Sequence, residues 1–479
     1  MPDPSVAGDK LQRGPGEAGP PFRIVPSSFR DPSGSVLHDG ANFLRAVDAS
    51  YRAHYDHLMA SGLYQELVAE KLLLAHEELP VPATMTAYKL LKPEQLRFIS
   101  YPYEWCFSQW REAALATLRI QEMALERGMI LKDASAFNMQ FVQGRPVLID
   151  TLSFEKLDKP EPWVAYGQFC RHFLAPLALM SFCDARLGGL MQTHLDGVPL
   201  DLASRLLPWR TRLRPWLLVH LHAHAASERR YQEGTKADAR GRSYSLNSMR
   251  GLIASLQTAV RHLKPPGGLA RHWAAYYDES VTGGGYVAHK KQVVSDWLTA
   301  IKPGVVWDLG ANTGAFSRIA ADLGSTVVAF DSDPACVEKL HESFSGGAGA
   351  DVLPLLLDLS NPTPALGWHH AERMSFVERP GPDLVLALAL IHHLAISHNV
   401  PLPRIAAFFA DFSPRLIVEF VPKEDPNAQK LLRVRKDIFT RYTPAEFERA
   451  FGEFFVVEQS TRLADSERVL YRLTRRAVT

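Results

Sequence analysis

At 479 residues the chain is long enough for two or three domains, and its 46% hydrophobic and 22% charged residues can build sizeable globular cores. Lys and Arg number 53 against 52 Asp and Glu, a net charge of +1, which excludes a global field holding the chain on nucleic acid or an anionic membrane and leaves only local basic patches open. Four scattered cysteines (Cys106, Cys170, Cys183 and Cys336), no leader-like N-terminus and no run of ~20 apolar residues predict a reducing, cytoplasmic setting without a membrane span.

Residues 1–21 are rich in Pro and Gly with little to bury, so disorder is expected there. From Ala41 to Leu79 apolar positions recur every three or four residues, which predicts helices closed by the turn at Glu78–Pro82. A further helix is expected over Ser108–Gly128, with the glycine at its C-terminal end. After it come a loop and a hairpin, strands Asn138–Val142 and Pro146–Ile149 around a Gln143–Gly144 turn. Residues 163–262 read as mainly helical. Their Arg-containing stretches, Arg205–Arg214 and Arg229–Arg250, are expected to be solvated faces.

"KPPGGLA", Lys264 to Ala270, marks the expected boundary between a companion domain, residues 22–264, and a second domain, residues 265–479. Beyond it "VVWDL", "TVVAF", "VLPLLL", "DLVLALAL" and "RLIVEF" are short apolar runs of the kind that form parallel strands covered on both faces. "FFVVEQ" and "VLYRL" add a final strand pair, and there is no internal repeat. The expected fold is α/β: a C-terminal Rossmann-like sheet behind an N-terminal, mostly helical α+β domain.

The first strand of this sheet runs into "DLGANTGAFSRIAADLG". Gly310 and Gly314 allow a tight turn and close approach of a ligand, and Asp331 closes the next strand, where a carboxylate can accept hydrogen bonds from both ribose hydroxyls. The G-x-G-x-x-G of a nicotinamide site is missing. Instead these residues, with "PLLLDLS" and "DLVLALALIHHL", resemble the ordered motifs of class I S-adenosylmethionine-dependent methyltransferases. The resemblance implies S-adenosylmethionine as cofactor, with Asp308 positioning its amino-acid portion through the loop Gly310, Ala311, Asn312, Thr313 and Gly314. It also implies that Asp331 and Ser332 bind the ribose, and that Asp358 and Leu359 bind the adenine. Asn312 stands where that family usually has Gly, a mild departure because Asn tolerates a left-handed backbone.

A sulfonium methyl is already electrophilic, so the protein must mainly hold the nucleophile in line and exclude water. A hydroxyl acceptor would also need a general base. His392 and His393, with ordinary pKa near ~6.5, are candidates, as is Glu419 at the end of the fifth strand; packing at the strand end is the competing role for the histidines. The lack of an Asn/Asp-Pro-Pro-Tyr/Phe motif disfavours an adenine or amide nitrogen as acceptor. Tyr277 and Tyr286 could form a lid hinged at Gly283–Gly285, or pack between domains. No metal site is visible.

One motif falls outside this scheme. "LKDASAFNMQFVQGRPVLID", Leu131 to Asp150, resembles the catalytic loop of kinase-like aminoglycoside phosphotransferases. The resemblance implies that Asp133 orients an acceptor hydroxyl and that Asn138 and Asp150 bind Mg²⁺. Leu131 replaces the family's His, and neither a Gly-rich loop nor a strand Lys with a Glu partner precedes it, so the loop reads as vestigial. "YPYEWCFSQWREAALATL", "RPVLIDTLSFE", "WVAYGQFCRHFLAPL" and "VEFVPKEDP" together resemble the nodulation-associated, NoeA-type methyltransferase-like proteins. The expected function is methyl transfer to a small-molecule or carbohydrate-like acceptor, with no nucleic-acid or membrane partner. A bifunctional enzyme with an active phosphotransferase domain and a non-catalytic adaptor are the alternatives.

Overall fold

The computed structural model describes residues 22–159, 161–232, 245–266, 284–345, 351–433 and 436–477. The expected disorder of residues 1–21, Tyr277 of the lid and the Gly283 end of its hinge lie outside them. The chain forms two compact units, one of residues up to Arg52 with Ala75–Gln95, the other of Ala53–Leu74 with Leu96–Thr479.

The first unit is an antiparallel sheet of five strands, β1 (Arg23–Ile24), β2 (Gly34–His38), β3 (Phe43–Val47), β4 (His76–Leu79) and β5 (Lys89–Pro93), in the order β1-β2-β3-β5-β4. This corrects the helical expectation at both ends of Ala41–Leu79. Leu44 and Ala46 are buried while Phe43 and Arg45 alternate with them, a period of two that fits a strand. The β2–β3 turn uses Gly40 at φ 99, and Asp39 accepts hydrogen bonds from the Ala41 and Asn42 N–H groups. Helices do occupy the middle of the stretch, at Arg52–Ala60 and Leu63–Ala69.

In the second unit the helix Phe107–Glu126 is buried along most of its length and ends ahead of Gly128 at φ 68. It leads to β6 (Met129–Leu131), paired with β9 (Phe154–Lys156), and to the hairpin of β7 (Met139–Val142) and β8 (Arg145–Leu148). Gln143 and Gly144 both have positive φ, 49 and 73, as a tight two-residue hairpin turn requires.

A seven-stranded sheet follows: β10 (Val305–Leu309), β11 (Thr326–Asp331), β12 (Val352–Leu356), β13 (Leu384–Ala387), β14 (Arg415–Phe420), β15 (Phe455–Arg462) and β16 (Val469–Arg475). The order is β12-β11-β10-β13-β14-β16-β15; the first five strands are parallel and the last two antiparallel. The α/β expectation is met, and β10 to β13 are buried or nearly so at every position, as covering on both faces demands.

Residues from both sides of Lys264 share one core. Phe98 packs edge-on against Trp307 and Phe330, with ring centroids 5.5 and 5.8 Å away. Gln109 donates to the Pro354 carbonyl at 3.0 Å, and Ser108 donates to Glu338. Glu104 and Arg379 form a fully buried ion pair, and Thr363 donates to Glu104 at 2.9 Å.

Candidate functional site

Strands β11 and β13 flank β10 on opposite sides, so the connections leaving their carboxyl ends diverge and open a crevice at that point. The turn after β10 needs three left-handed residues, Gly310 (φ 77), Asn312 (φ 51) and Gly314 (φ 83). Gly314 has no room for a side chain, since a Cβ there would lie 2.3 Å from Leu340 Cδ2. The turn is tied to the end of β11: the Gly310 and Ala311 N–H groups donate to the Phe330 carbonyl at 2.9 Å, and the Asn312 N–H donates to Asp331 Oδ2 at 2.8 Å.

Asp331 Oδ1 accepts from the Asp333 N–H at 2.9 Å. Each Asp331 oxygen keeps acceptor capacity for a further donor. Burial raises this carboxyl above its ordinary value, and the Asp333 and Asn312 N–H groups oppose the rise. Asp358 accepts the Ser360 N–H and hydroxyl on Oδ1, at 2.8 and 2.7 Å. The cavity between these residues holds about 370 Å³ and is lined by Gly310, Asn312, Asp331, Ser332, Asp358, Leu359 and His393.

Ala311, Thr313, Gly314, Asp308, His392 and Glu419 are not among the residues lining the cavity. Ala311, Thr313 and Gly314 frame the turn. Asp308 is buried beneath it, accepting from Ser317 Oγ at 2.6 Å; burial pushes its carboxyl up to about 6, with Ser317 and Lys290 pulling it back. His392 is fully buried with its ring 4.2 Å from that of His393, and neither of its ring nitrogens has a hydrogen-bond partner among the described residues.

The ordinary histidine pKa expected for this pair is corrected. Burial drives His392 well below it, and burial with His398 brings His393 down to about 4.

Glu419 is sealed inside an ionic cluster. Lys290 Nζ donates to its Oε2 at 2.6 Å, the Tyr286 hydroxyl donates to Oε1, and Arg468 Nη1 lies 3.4 Å away. Burial would raise the Glu419 carboxyl, but Lys290 and Arg468 outweigh it and hold it below its ordinary value. Tyr286, expected either in a lid or packed between domains, is a buried member of this cluster.

Leu388, Ala389 and Leu390, within the "DLVLALALIHHL" motif after β13, line the cavity too, whereas sequence reasoning missed Leu431. Ala389 adopts φ 51, a left-handed conformation that nothing in alanine's chemistry advertises.

A second polar cluster lies beside β6 and β7. Asn138 Nδ2 donates to Asp133 Oδ2 at 3.0 Å and to Ser153 Oγ at 3.4 Å, and Ser153 Oγ donates to Asp150 Oδ2 at 2.9 Å. Gln168 closes the other side with a 2.8 Å bond to Asp133 Oδ1. Burial, then the neighbouring Asp150, raises the Asp133 carboxyl. Among the described residues no three His, Cys, Asp or Glu side chains converge as metal ligands do.

A parallel sheet in this order, extended by an antiparallel hairpin and with a Gly-rich turn after its central strand, has the Rossmann-like fold of class I methyltransferases. No protein-family model matches the chain. It is 34% identical over 459 residues to the nodulation protein NoeA of Rhizobium meliloti (strain 1021), covering 94% of this chain and 96% of that protein, and therefore belongs to the NoeA family.

Among solved structures, it is similar to magnesium protoporphyrin IX methyltransferase of Synechocystis PCC 6803 with bound SAH (18% identity, 43% of this chain and 93% of that one, TM-score 0.31). It is also similar to the N-methyltransferase NodS of Bradyrhizobium japonicum WM9 (10% identity, 41% of this chain and 100% of that one, TM-score 0.31).

Proposed function

We propose that the chain is an S-adenosylmethionine-dependent methyltransferase acting on a hydroxyl or other nucleophile of a small-molecule or carbohydrate-like acceptor. The observation that carries this reading is Asp331, whose two oxygens are fixed by the Asn312 and Asp333 N–H groups at the rim of the crevice. That carboxylate fits a ribose diol. Asp358, whose Oδ1 accepts from Ser360, fits an adenine amino group, with Leu359 beside it for the ring face.

The cofactor, when bound, supplies a methyl group made electrophilic by its sulfonium centre. The chain's residues then have three tasks. Asp331 and Asp358 would anchor the nucleoside, and the Gly310–Gly314 turn would let backbone approach it. Leu388, Leu390 and Leu431 would keep water from the reacting end. His393 lines the cavity and, with its pKa near 4, is neutral at physiological pH, so it can accept a proton from an acceptor hydroxyl as a weak base. In this reading residues 22–264 form a companion region and 265–479 the methyl-transfer region, in a cytoplasmic protein.

Calorimetric titration with S-adenosylmethionine tests the proposal. Binding weakened at least about tenfold in Asp331→Ala, a loss of ~1.4 kcal/mol or more, is expected. No binding by the wild-type chain, or equal binding by a folded Asp331→Ala variant, sinks it.

The hydrogen-bonded run Asp133, Asn138, Ser153 and Asp150 favours a second reading, an additional ATP-dependent phosphotransferase activity. It requires Mg·ATP binding that Asp150→Ala removes.

A further inference from the structure

Leu206 to Val219 inverts the usual arrangement of a protein surface. Trp209 is 75% exposed, Leu213 71% and Val219 56%, and Leu206 and Leu218 are exposed beside them. Singly, such residues are ordinary; five in fourteen positions concentrate apolar exposure in one short segment. The polar ties lie on the inner side. Buried His222 pairs through Nδ1 with Ser204 Oγ at 2.8 Å and through Nε2 with Thr211 Oγ1 at 3.0 Å, and Thr211 Oγ1 also donates to the Pro208 carbonyl at 2.6 Å. With Leu207, Thr211 and Leu217 buried as anchors and Trp216 packed on the core, Trp209, Arg210 and Arg212 to Arg214 are held outward.

The segment's own charges have one sign, with Asp201 and Asp184 at its border. Arg210, Arg212 and Arg214 are exposed within it, Arg205 at its edge pairs with Asp201, and there is no Asp or Glu from Leu202 to Ser227. We propose that this segment docks the protein on the surface of an anionic phospholipid bilayer. Trp209 would sit at the headgroup level and Leu213 and Val219 in the acyl boundary, with the guanidinium groups on lipid phosphates. A nucleic acid would satisfy the arginines and leave Leu213 and Val219 without a role. Among the described residues no helix is long and apolar enough to cross a membrane, so the attachment is peripheral. The sequence reading expected a solvated face and no membrane. A net charge of +1 averages over the whole chain and hides a patch of this size. The proposal is independent of the methyl-transfer reading.

The test is co-sedimentation of the full chain with vesicles of mixed phosphatidylglycerol and phosphatidylcholine, and of phosphatidylcholine alone. Binding to the anionic vesicles only, reversed by salt, is expected. It should fall roughly thirtyfold in Arg210→Gln/Arg212→Gln and by at least about tenfold in Trp209→Ser/Leu213→Ser, with unchanged melting temperatures in both. Vesicle binding that neither variant weakens overturns the proposal. So does an absence of vesicle binding, whether the patch instead binds a single-stranded oligonucleotide or its serine variant converts a dimer to a monomer in sedimentation analysis.

Discussion

Lys290 and Glu419 meet at 2.6 Å with neither side chain reaching solvent, one from the helix Gly284–Ile301 and the other from β14. Lys290 also lies over the Phe316 ring at 4.8 Å, and Arg468 extends the cluster to Asp425 through bonds of 2.7 and 2.9 Å. Removing one partner of a buried pair strands the other charge, which costs about 3–5 kcal/mol. Glu419→Ala should therefore lower stability by that order in urea unfolding, while Lys290→Met/Glu419→Leu should recover much of the loss. A Glu419→Ala protein as stable as wild type would return Glu419 to the list of candidate bases.

Gly314 meets two restrictions at once, φ 83 and a neighbour that a Cβ would overlap. Gly314→Ala should cost roughly 2–4 kcal/mol, the sum of a left-handed penalty and overpacking. Leu340→Ala makes room for the new methyl but does not relieve the backbone. In the double variant the backbone strain and the close Phe344 contact at 3.2 Å should remain and the Leu340 overlap should vanish, a coupling that a double-mutant cycle of melting curves reads directly.

The turn was legible because its demands are local. Two glycines and an asparagine in five residues, set between a β-run and a helix, admit few backbones, and Asn312 takes the left-handed conformation its chemistry permits. Lys290 was invisible for the opposite reason: followed by Lys291 in a helix sequence it looks like a surface charge, and its partner lies 129 residues away. Nor could the adjacent His392 and His393 be told apart. The backbone after β13 decides that His393 lines the cavity and His392 does not. In the first unit, β3 offers only five residues of alternation before a helical pattern starts, too few to reveal the strand.

Glu104 and Arg379 predict cooperativity. Arg379 donates to Glu104 Oε2 at 2.9 Å and to the Ile99 carbonyl at 3.2 Å, with its guanidinium 4.5 Å from the centre of the Tyr101 ring. These residues come from either side of Lys264 within the second unit, so its parts before and after Lys264 are expected to unfold in one transition. Arg379→Met, which leaves Glu104 buried without its cation, should lower stability by about 3–5 kcal/mol. Arg379→Lys should restore only part of it, because an ammonium lacks the planar fork. Separate unfolding of the parts of the second unit before and after Lys264, read by hydrogen exchange, would contradict the expectation.

Buried neutral histidines set the acid limit of stability. Burial pushes His172 down to about 3, with Arg171 adding to the shift, and burial with His224 brings His220 down to about 4. Both have ring partners suited to the neutral form: the Ala136 N–H donates to His172 Nδ1, and His220 bridges the Tyr166 and Ser255 hydroxyls at 2.9 and 2.7 Å. In the unfolded chain these rings take up protons below ~6.5, whereas in the folded chain they stay neutral until the pH nears their lowered values. Between those limits the unfolded state binds more protons, so stability falls as pH falls. At pH 5 the loss should be on the order of 1–2 kcal/mol for each histidine, with none above pH 7. Urea unfolding at pH 7 and pH 5 measures it. His172→Gln, whose amide oxygen can accept the Ala136 N–H, should reduce the difference between the two pH values by one histidine's share. An unchanged difference in that variant would mean that His172 is protonated in the folded protein.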